Sequence, residues 1–430
     1  MKRLLYLVMC IAVLVNLVSC SNVPERAAVK SPVYPRSISF EDYKSRRSVR
    51  EENPIDGSYI ESLNSFSYKT ISRILSGQSR NSSYSPVSLY MALSLAATGA
   101  NGATQDEIFS VLGVSGKGTD FLSVNNCNFF KLLYADNEIG KLKIANSLWL
   151  QKDTAFKDAF VTNAVENFYA SVYSVDFSNE STAQLMGKWV SENTNGILSP
   201  RISLDHEQIM SIINTIYFKD EWVDRFNKEN TKPDIFHLED GSEIKCDFMN
   251  MKYTVHRFLK GDGFTSSSLS LKDSGSMMFI LPDKGVSIDE LLSTPEKAAV
   301  LFDEDNRVSG KEIFQIPKFS FRSDLDLDDK LKAKRVTSVF KSDADFSGIT
   351  DDITFISSVR QQTHIAIDEK GVEAAAFTQF NYVGSEPPNE KVAEMILNRP
   401  FVFAVKSRQG AILFAGVVNN PTDYGESKLK

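Results

Sequence analysis

Apolar and polar positions recur along the chain with two periods, and the change from one to the other marks its elements. Ser85-Pro86 followed by Val87, Tyr90, Met91, Leu93 and Leu95 predicts an N-cap, a proline in the first turn and a mostly buried helix closed by Gly99 and Gly102. Thr104-Gln105-Asp106-Glu107 has the spacing of a capping box and predicts a second helix opening there and running toward Leu112. Residues Lys143 to Leu150 and Ile212 to Phe218 are continuous apolar, aromatic-rich runs, the pattern of strands in the middle of a sheet. Ser276 to Leu281 ends at Pro282-Asp283, a strand leaving into a turn. Phe401 to Val405 and Ala411 to Val418 flank Ser407-Arg408-Gln409-Gly410 and predict a β-hairpin. Helices dominate the first third and strands the remainder, which is an α+β chain with large sheets.

Composition narrows the class. Of 430 residues, 24% are charged and 42% hydrophobic, which excludes a wholly disordered or collagen-like chain. The length alone would allow about three domains, but no interior linker interrupts the patterns, so one domain is expected over residues 58–424. The net charge is −7, and −9 once Lys2 and Arg3 leave with a signal segment (46 basic against 55 acidic residues). An acidic chain with no basic run is a poor nucleic-acid binder, and no basic cluster marks a glycosaminoglycan site.

Met1-Lys2-Arg3 precedes an apolar stretch from Leu4 to Val18 that is too short for a comfortable membrane span and fits a signal peptide over residues 1–19. Leu17-Val18-Ser19-Cys20 resembles the lipobox of bacterial lipoproteins. That resemblance implies cleavage before Cys20, acyl chains on that cysteine and attachment to a membrane of the bacterial cell envelope, on the periplasmic face or the cell surface. Residues 20–57 carry Pro24, Pro32, Pro35 and Pro54 and many charges with weak periodicity. They are expected to be a flexible tether holding the domain about 30 Å from the membrane, with room for a short element near Tyr34 to Tyr43. Cys127 and Cys246 are then the remaining thiols, and isolated thiols in a large domain are usually small buried hydrophobes. No CxxC, HExxH or Cys/His cluster points to a metal, and no cofactor is expected.

The stretch from Glu369 to Pro388 is the most informative. From 372 onward the even positions are Val372, Ala374, Ala376, Thr378, Phe380 and Tyr382, and the odd ones Glu373, Ala375, Phe377, Gln379, Asn381 and Val383. A period of two with one face mostly apolar suits a half-buried strand. Yet the stretch runs into Gly384-Ser385-Glu386-Pro387-Pro388, which reads as an exposed loop. The residues alone leave both readings open: a plain loop after a strand, or a loop competent to become a strand.

Taken together, the motifs resemble the serpin family. They are Asn81 to Ser88, Gly99 to Ile108, Asn214-Thr215-Ile216-Tyr217-Phe218-Lys219 with Trp222 and Phe226, Phe236-His237, Ile316-Pro317-Lys318-Phe319, Phe346-Ser347-Gly348-Ile349, the hinge at 369–376, Asn398-Arg399-Pro400-Phe401, and Phe414 to Pro421. The resemblance spans about Asn64 to Pro421. It implies three β-sheets wrapped by eight or nine helices, an exposed reactive-centre loop, no catalytic residue of the chain's own, and a monomer. The partner it implies is a target protease, held in a covalent complex. The protease attacks the loop and forms its acyl-enzyme. The cut loop then enters the large sheet as a new strand and distorts the protease before the ester is hydrolysed.

The same resemblance assigns roles. The hinge comprises Glu369, Gly371, Val372, Glu373, Ala374, Ala375 and Ala376, small and mostly apolar on the face to be buried. Counting from Glu369 puts cleavage between Ser385 and Glu386, with Tyr382, Val383 and Gly384 as alternative residues before the bond. A small residue there suits an elastase- or subtilisin-like pocket, and Tyr382 a chymotrypsin-like one. A papain-like cysteine protease stays open, as does a non-inhibitory binding or surface role on the same fold. Shutter and breach positions are Ser85, Ser88, Gly187, Gln361 and Trp222. Gly187 is read as standing where the family carries a shutter Asn, and Gln361 where many members carry its His partner, so the pair is expected to be missing as a unit. His364 is expected to be structural. An enzyme would need one of His206, His237, His256 or His364, and no G-x-S-x-G elbow accompanies them.

Overall fold

The computed structural model of the chain describes residues 28–204, 207–327, 338–341, 343–353, 355–356, 359–372 and 391–424. Its first half is largely helical: α1 (Tyr43–Glu52), α2 (Gly57–Ile74), α3 (Pro86–Gly99), α4 (Gly102–Leu112), α5 (Thr119–Leu133), α6 (Asp158–Phe168) and α7 (Glu180–Asn193). Between them lie β1 (Ser82–Tyr84), β2 (Ala135–Asp136), β3 (Lys141–Gln151) and β4 (Ala170–Val175). Strands then dominate: β5 (Met210–Glu221), β6 (Lys232–His237), β7 (Glu243–Lys260), β8 (Phe264–Ser270) and β9 (Gly275–Pro282). Two short helices, α8 (Ile288–Leu291) and α9 (Pro295–Leu301), precede β10 (Val308–Pro317), β11 (Phe319–Asp326) and β12 (Arg360–Ile367). The chain closes with β13 (Gly371–Val372), β14 (Val392–Ile396), β15 (Phe401–Ser407) and β16 (Ile412–Val418).

The predicted elements are present, with local shifts. α3 begins as expected, with Ser85 as N-cap accepting from the Ser88 amide and Pro86 in the first turn. α4 starts earlier than the capping box suggested, at Gly102 behind Asn101, and has no side-chain cap. Its first turn is held instead by Gln105, whose amide donates to the carbonyls of Ala97 (3.2 Å) and Ala100 (2.6 Å). The terminal hairpin forms with Gly410 at φ +84°, a turn conformation that suits glycine.

Among the described residues, hydrogen bonding joins the strands into two sheets rather than three. One runs β1-β16-β15-β9-β8-β7-β10-β14, with β6 on β7; the other runs β11-β12-β13-β5-β3-β2, with β4 on β3. The expected third sheet is continuous with its neighbour because β7 is 18 residues long. That strand pairs with β6 over Glu243 to Phe248, with β10 over Phe248 to Phe258 and with β8 over Phe258 to Lys260. One hydrophobic core lies between the sheets and under α2, α3 and α5, with a smaller cluster beneath α7 around Trp149 and Trp189.

The tether reading is corrected for residues 28–57, which lie on the domain. Lys30 bridges to Val172 of β4, with the Val172 amide donating to the Lys30 carbonyl at 2.8 Å. The ring of Tyr34 sits 6.1 Å from those of Phe130, Tyr134 and Tyr169. α1 is capped by Asp42 and is tied by the ion pair Arg46–Asp273. Periodicity could not reveal this, because the arm is held by a few anchors rather than by a continuous apolar face. Residues 1–27, Cys20 included, lie outside the described residues.

Candidate functional site: the open large sheet and its hinge

In the seven-stranded sheet, β12 and β5 meet only at one end. There β13 lies between them, with Val372 opposite Ile367 on one side, and Gly371 and Val372 opposite Glu221 and Asp220 on the other. Gly371 is needed for close approach, since a Cβ would meet the Asp220 carbonyl oxygen at 2.2 Å. Val372 points into the core and is 1% exposed.

The turn entering β13 is fastened from several directions. Asp368 accepts from the amides of Lys370 (2.8 Å) and Gly371 (3.2 Å), and its own amide donates to the Gly371 carbonyl at 3.0 Å. Trp222 is fully buried, and its indole N–H donates to the Asp368 carbonyl at 2.9 Å. The amides of Trp222 and Phe226 donate to the carbonyls of Lys370 and Glu369. The Glu369 carboxylate pairs with Lys318 at 3.1 Å and accepts from the Thr231 hydroxyl at 2.9 Å. Burial alone would raise its pKa. Its own backbone amide, Lys318 and Thr231 outweigh that and hold the group below the usual carboxylate range.

Away from this end the sheet is open. Below Asp220, β5 has β3 on one edge and no strand on the other among the described residues, and Met210 to Asn214 are only half-buried. A cavity of about 130 Å³ lies under the gap, lined by Ser88, Leu89, Ile212, Asn214, Val359 and Gln361. Polar side chains bridge its floor. Gln361 accepts from the Ser85 amide at 2.6 Å and donates to the Ser85 carbonyl at 3.2 Å. The Ser88 hydroxyl donates to Asn214, and Asn214 donates to Asn146. Thr363 and Ser83 join hydroxyls at 2.7 Å.

This arrangement corrects the expectation for Gly187. That residue lies on α7, where a Cβ would meet the Pro200 carbonyl oxygen at 2.8 Å. The asparagine beneath the gap is Asn214 on β5, so the polar pair is not missing as a unit: Asn214 is present and lines the same cavity as Gln361. Ser85, Ser88 and Gln361 do gather at this floor, and Trp222 stands at the fastened end. Sequence reading missed Asn214, Thr363, Lys318 and Thr231 in these roles. Asn214 was legible only as part of a motif, because the register that aims it under the gap belongs to the sheet. His364 lies on the outer face of β12 with the Ser320 hydroxyl at 3.2 Å from its Nε2. Glu373, Ala374, Ala375 and Ala376, and the bond region Tyr382 to Glu386, lie outside the described residues. Cys127 and Cys246 are half-buried free thiols.

Comparison with known proteins places this geometry. The model of the Serpin (serine protease inhibitor) family matches residues 61–421. Serpin-Z1B of Triticum aestivum is 31% identical over 82% of this chain and 93% of its own length, and human neuroserpin is 29% identical over 82% and 88%. The crystal structure of a thermophilic serpin, tengpin, in its native state superposes with a TM-score of 0.76 at 27% identity, covering 85% of this chain and 95% of that one.

Proposed function

The chain belongs to the serpin family, and from that premise we propose that it is a suicide-substrate inhibitor of serine endopeptidases. Serpins are typically protease inhibitors rather than enzymes, so the chemistry is the target's. The protease serine attacks the carbonyl of Ser385, the peptide bond to Glu386 breaks, and an ester joins the two proteins. The freed loop then enters the large sheet, and the ester is kept from water by distortion of the protease.

The observation that carries this reading is the gap between β5 and β12, already started at its upper end by Gly371 and Val372. Extending that register sets Thr378 opposite Asn214, Phe380 opposite Ile212 and Tyr382 opposite Met210, since each pair of numbers sums to 592 as Gly371 and Glu221 do. β5 starts at Met210, so the loop up to Tyr382 matches its length. The buried direction of Val372 assigns the inward face to Ala374, Ala376, Thr378, Phe380 and Tyr382 and the outward face to Glu373, Ala375 and Phe377. Thr378 and Phe380 then lie over the cavity beside Ile212 and Asn214, where an inserted strand would fill space that is now empty.

No residue from Phe377 to Glu386 is Lys or Arg, which favours an elastase-, subtilisin- or chymotrypsin-like target over a trypsin-like one. The test is incubation with each class and with a papain-like protease, followed by denaturing electrophoresis and mass spectrometry. A covalent band at the summed mass, with a released peptide beginning at Glu386, is expected. Cleavage by every protease with no covalent band, and no gain in thermal stability after the cut, would instead mean a non-inhibitory use of the fold. Attachment through acylated Cys20 is proposed from the Leu17-Val18-Ser19-Cys20 pattern; Cys20→Ala should move the protein out of the membrane fraction, and persistence there would favour an uncleaved anchor.

A further inference from the structure

A cavity of about 470 Å³ lies where the N-terminal arm crosses the domain, within the size range of small-molecule sites, roughly 300–1,000 Å³. It has an aromatic side and a cationic side. Tyr34, Tyr134 and Tyr169 line the first, with Tyr169 stacked on Phe130 at a centroid distance of 4.0 Å. Arg36, Arg46, Arg50, Lys131 and Arg408 line the second, with Asp273 as the sole carboxylate in the lining among the described residues.

Asp273 is already engaged by Arg46. The guanidinium of Arg408 is fixed in place by donating to the carbonyls of Asp273 (2.7 Å) and Lys272 (2.6 Å), which orient it without neutralising it. The side chains of Arg36, Arg50 and Lys131 have no ion-pair or hydrogen-bond partner among the described residues. The lining thus carries a surplus of positive charge on a chain whose net charge is −7. No run of sequence announces it, because the five cations come from the arm, α5 and the β15–β16 turn.

We propose that this cavity binds a small amphipathic organic anion, its flat apolar body against the tyrosines and its carboxylate, sulfonate or sulfate among the guanidinium groups. Planar anions suit arginine forks, and aromatic bodies suit both the ring faces and the arginine planes. A ligand there would touch the arm and the domain together, so binding should raise the thermal midpoint of the full chain.

The probe pair is anilinonaphthalenesulfonate and N-phenylnaphthylamine, the same ring system without the sulfonate, titrated against the full chain by fluorescence and calorimetry. One saturable sulfonate site per chain is expected, with the uncharged analogue at least about tenfold weaker. Arg50→Glu with Lys131→Glu should weaken the sulfonate about tenfold or more, while circular dichroism and the midpoint of the unliganded protein stay unchanged. Binding of both probes alike would reduce the site to an apolar slot and overturn the proposal. Sulfonate binding that ignores the double substitution, or competition by inorganic sulfate as strong as that by the whole probe, would overturn it too.

Discussion

In the nine-stranded sheet, β15 and β16 are buried at every position, each flanked by a strand on both edges. In the seven-stranded sheet, β5 is also an interior strand by sequence, an apolar run with aromatic residues, yet its first five positions are only half-buried and one edge faces a gap. The same kind of sequence has been completed in one place and left waiting in the other. At about 1 kcal/mol net per backbone hydrogen bond, a strand filling the gap from Lys219 down to Met210 would gain on the order of 10 kcal/mol, before side-chain burial is added. Under the proposed mechanism that reserve would act on a bound protease, and the bonds around Trp222, Asp368 and Glu369 close the end of the sheet where insertion would start.

The largest effect expected from testing this contrast is in the completed sheet. Phe403 is fully buried and packs against Phe319 and Phe321 at ring distances of 5.7 and 6.3 Å. Phe403→Ala should cost about 3–5 kcal/mol, and by the same amount in the intact and loop-cleaved protein, because under the proposed mechanism the loop enters between β5 and β12 and leaves β15 and its partners on β11 in place. Guanidinium unfolding of both forms is the measurement. A loss confined to the intact form would mean that the two sheets do not store energy separately.

Next comes the fastened end. Val372 occupies the first inward site between β12 and β5, and Val372→Arg would place a charge there at a cost of about 3 kcal/mol or more. The hinge should leave the sheet, and the variant should be cleaved by proteases that the parent traps, with no covalent band on a denaturing gel. Trapping at the parent's stoichiometry would show that insertion does not begin at this site.

The contrast also explains what could be read in advance. The strands were legible because their apolar runs carry the pattern of buried sheet; the hinge positions came from the family resemblance, and of them Glu369, Gly371 and Val372 lie among the described residues. What periodicity could not report is where a neighbour is absent: Ile212 to Phe218 reads like the completed β15. Gly187 was misplaced for the same reason, since only the register of β5 shows that Asn214 points beneath the gap. The arm at 28–57 was misread because Tyr34 and Arg46, which hold it, find partners more than ninety residues away in sequence. The cationic cavity follows from that docking and was equally hidden.

The smallest expected effect concerns acid. His364 stands on β12, beside the gap, with Arg322 opposite it on β11. Burial first, and the Arg322 charge second, push its pKa down to about 4 from an ordinary 6.5. A depressed value means that the folded chain holds this imidazole neutral more strongly than the unfolded chain does. Its contribution is therefore complete above pH 6.5 and is lost as the pH falls through 4. Because the side chain is partly exposed, the loss is discounted to about 1–2 kcal/mol. His364→Gln removes the titrating group, so the stability difference between variant and parent should shift in favour of the variant between pH 6.5 and 4 and be level above that window. Urea midpoints of the intact protein across the window are the measurement. If the completed sheet alone governed acid stability, parent and variant would fall in parallel, and the open sheet would have no acid weakness of its own at this histidine.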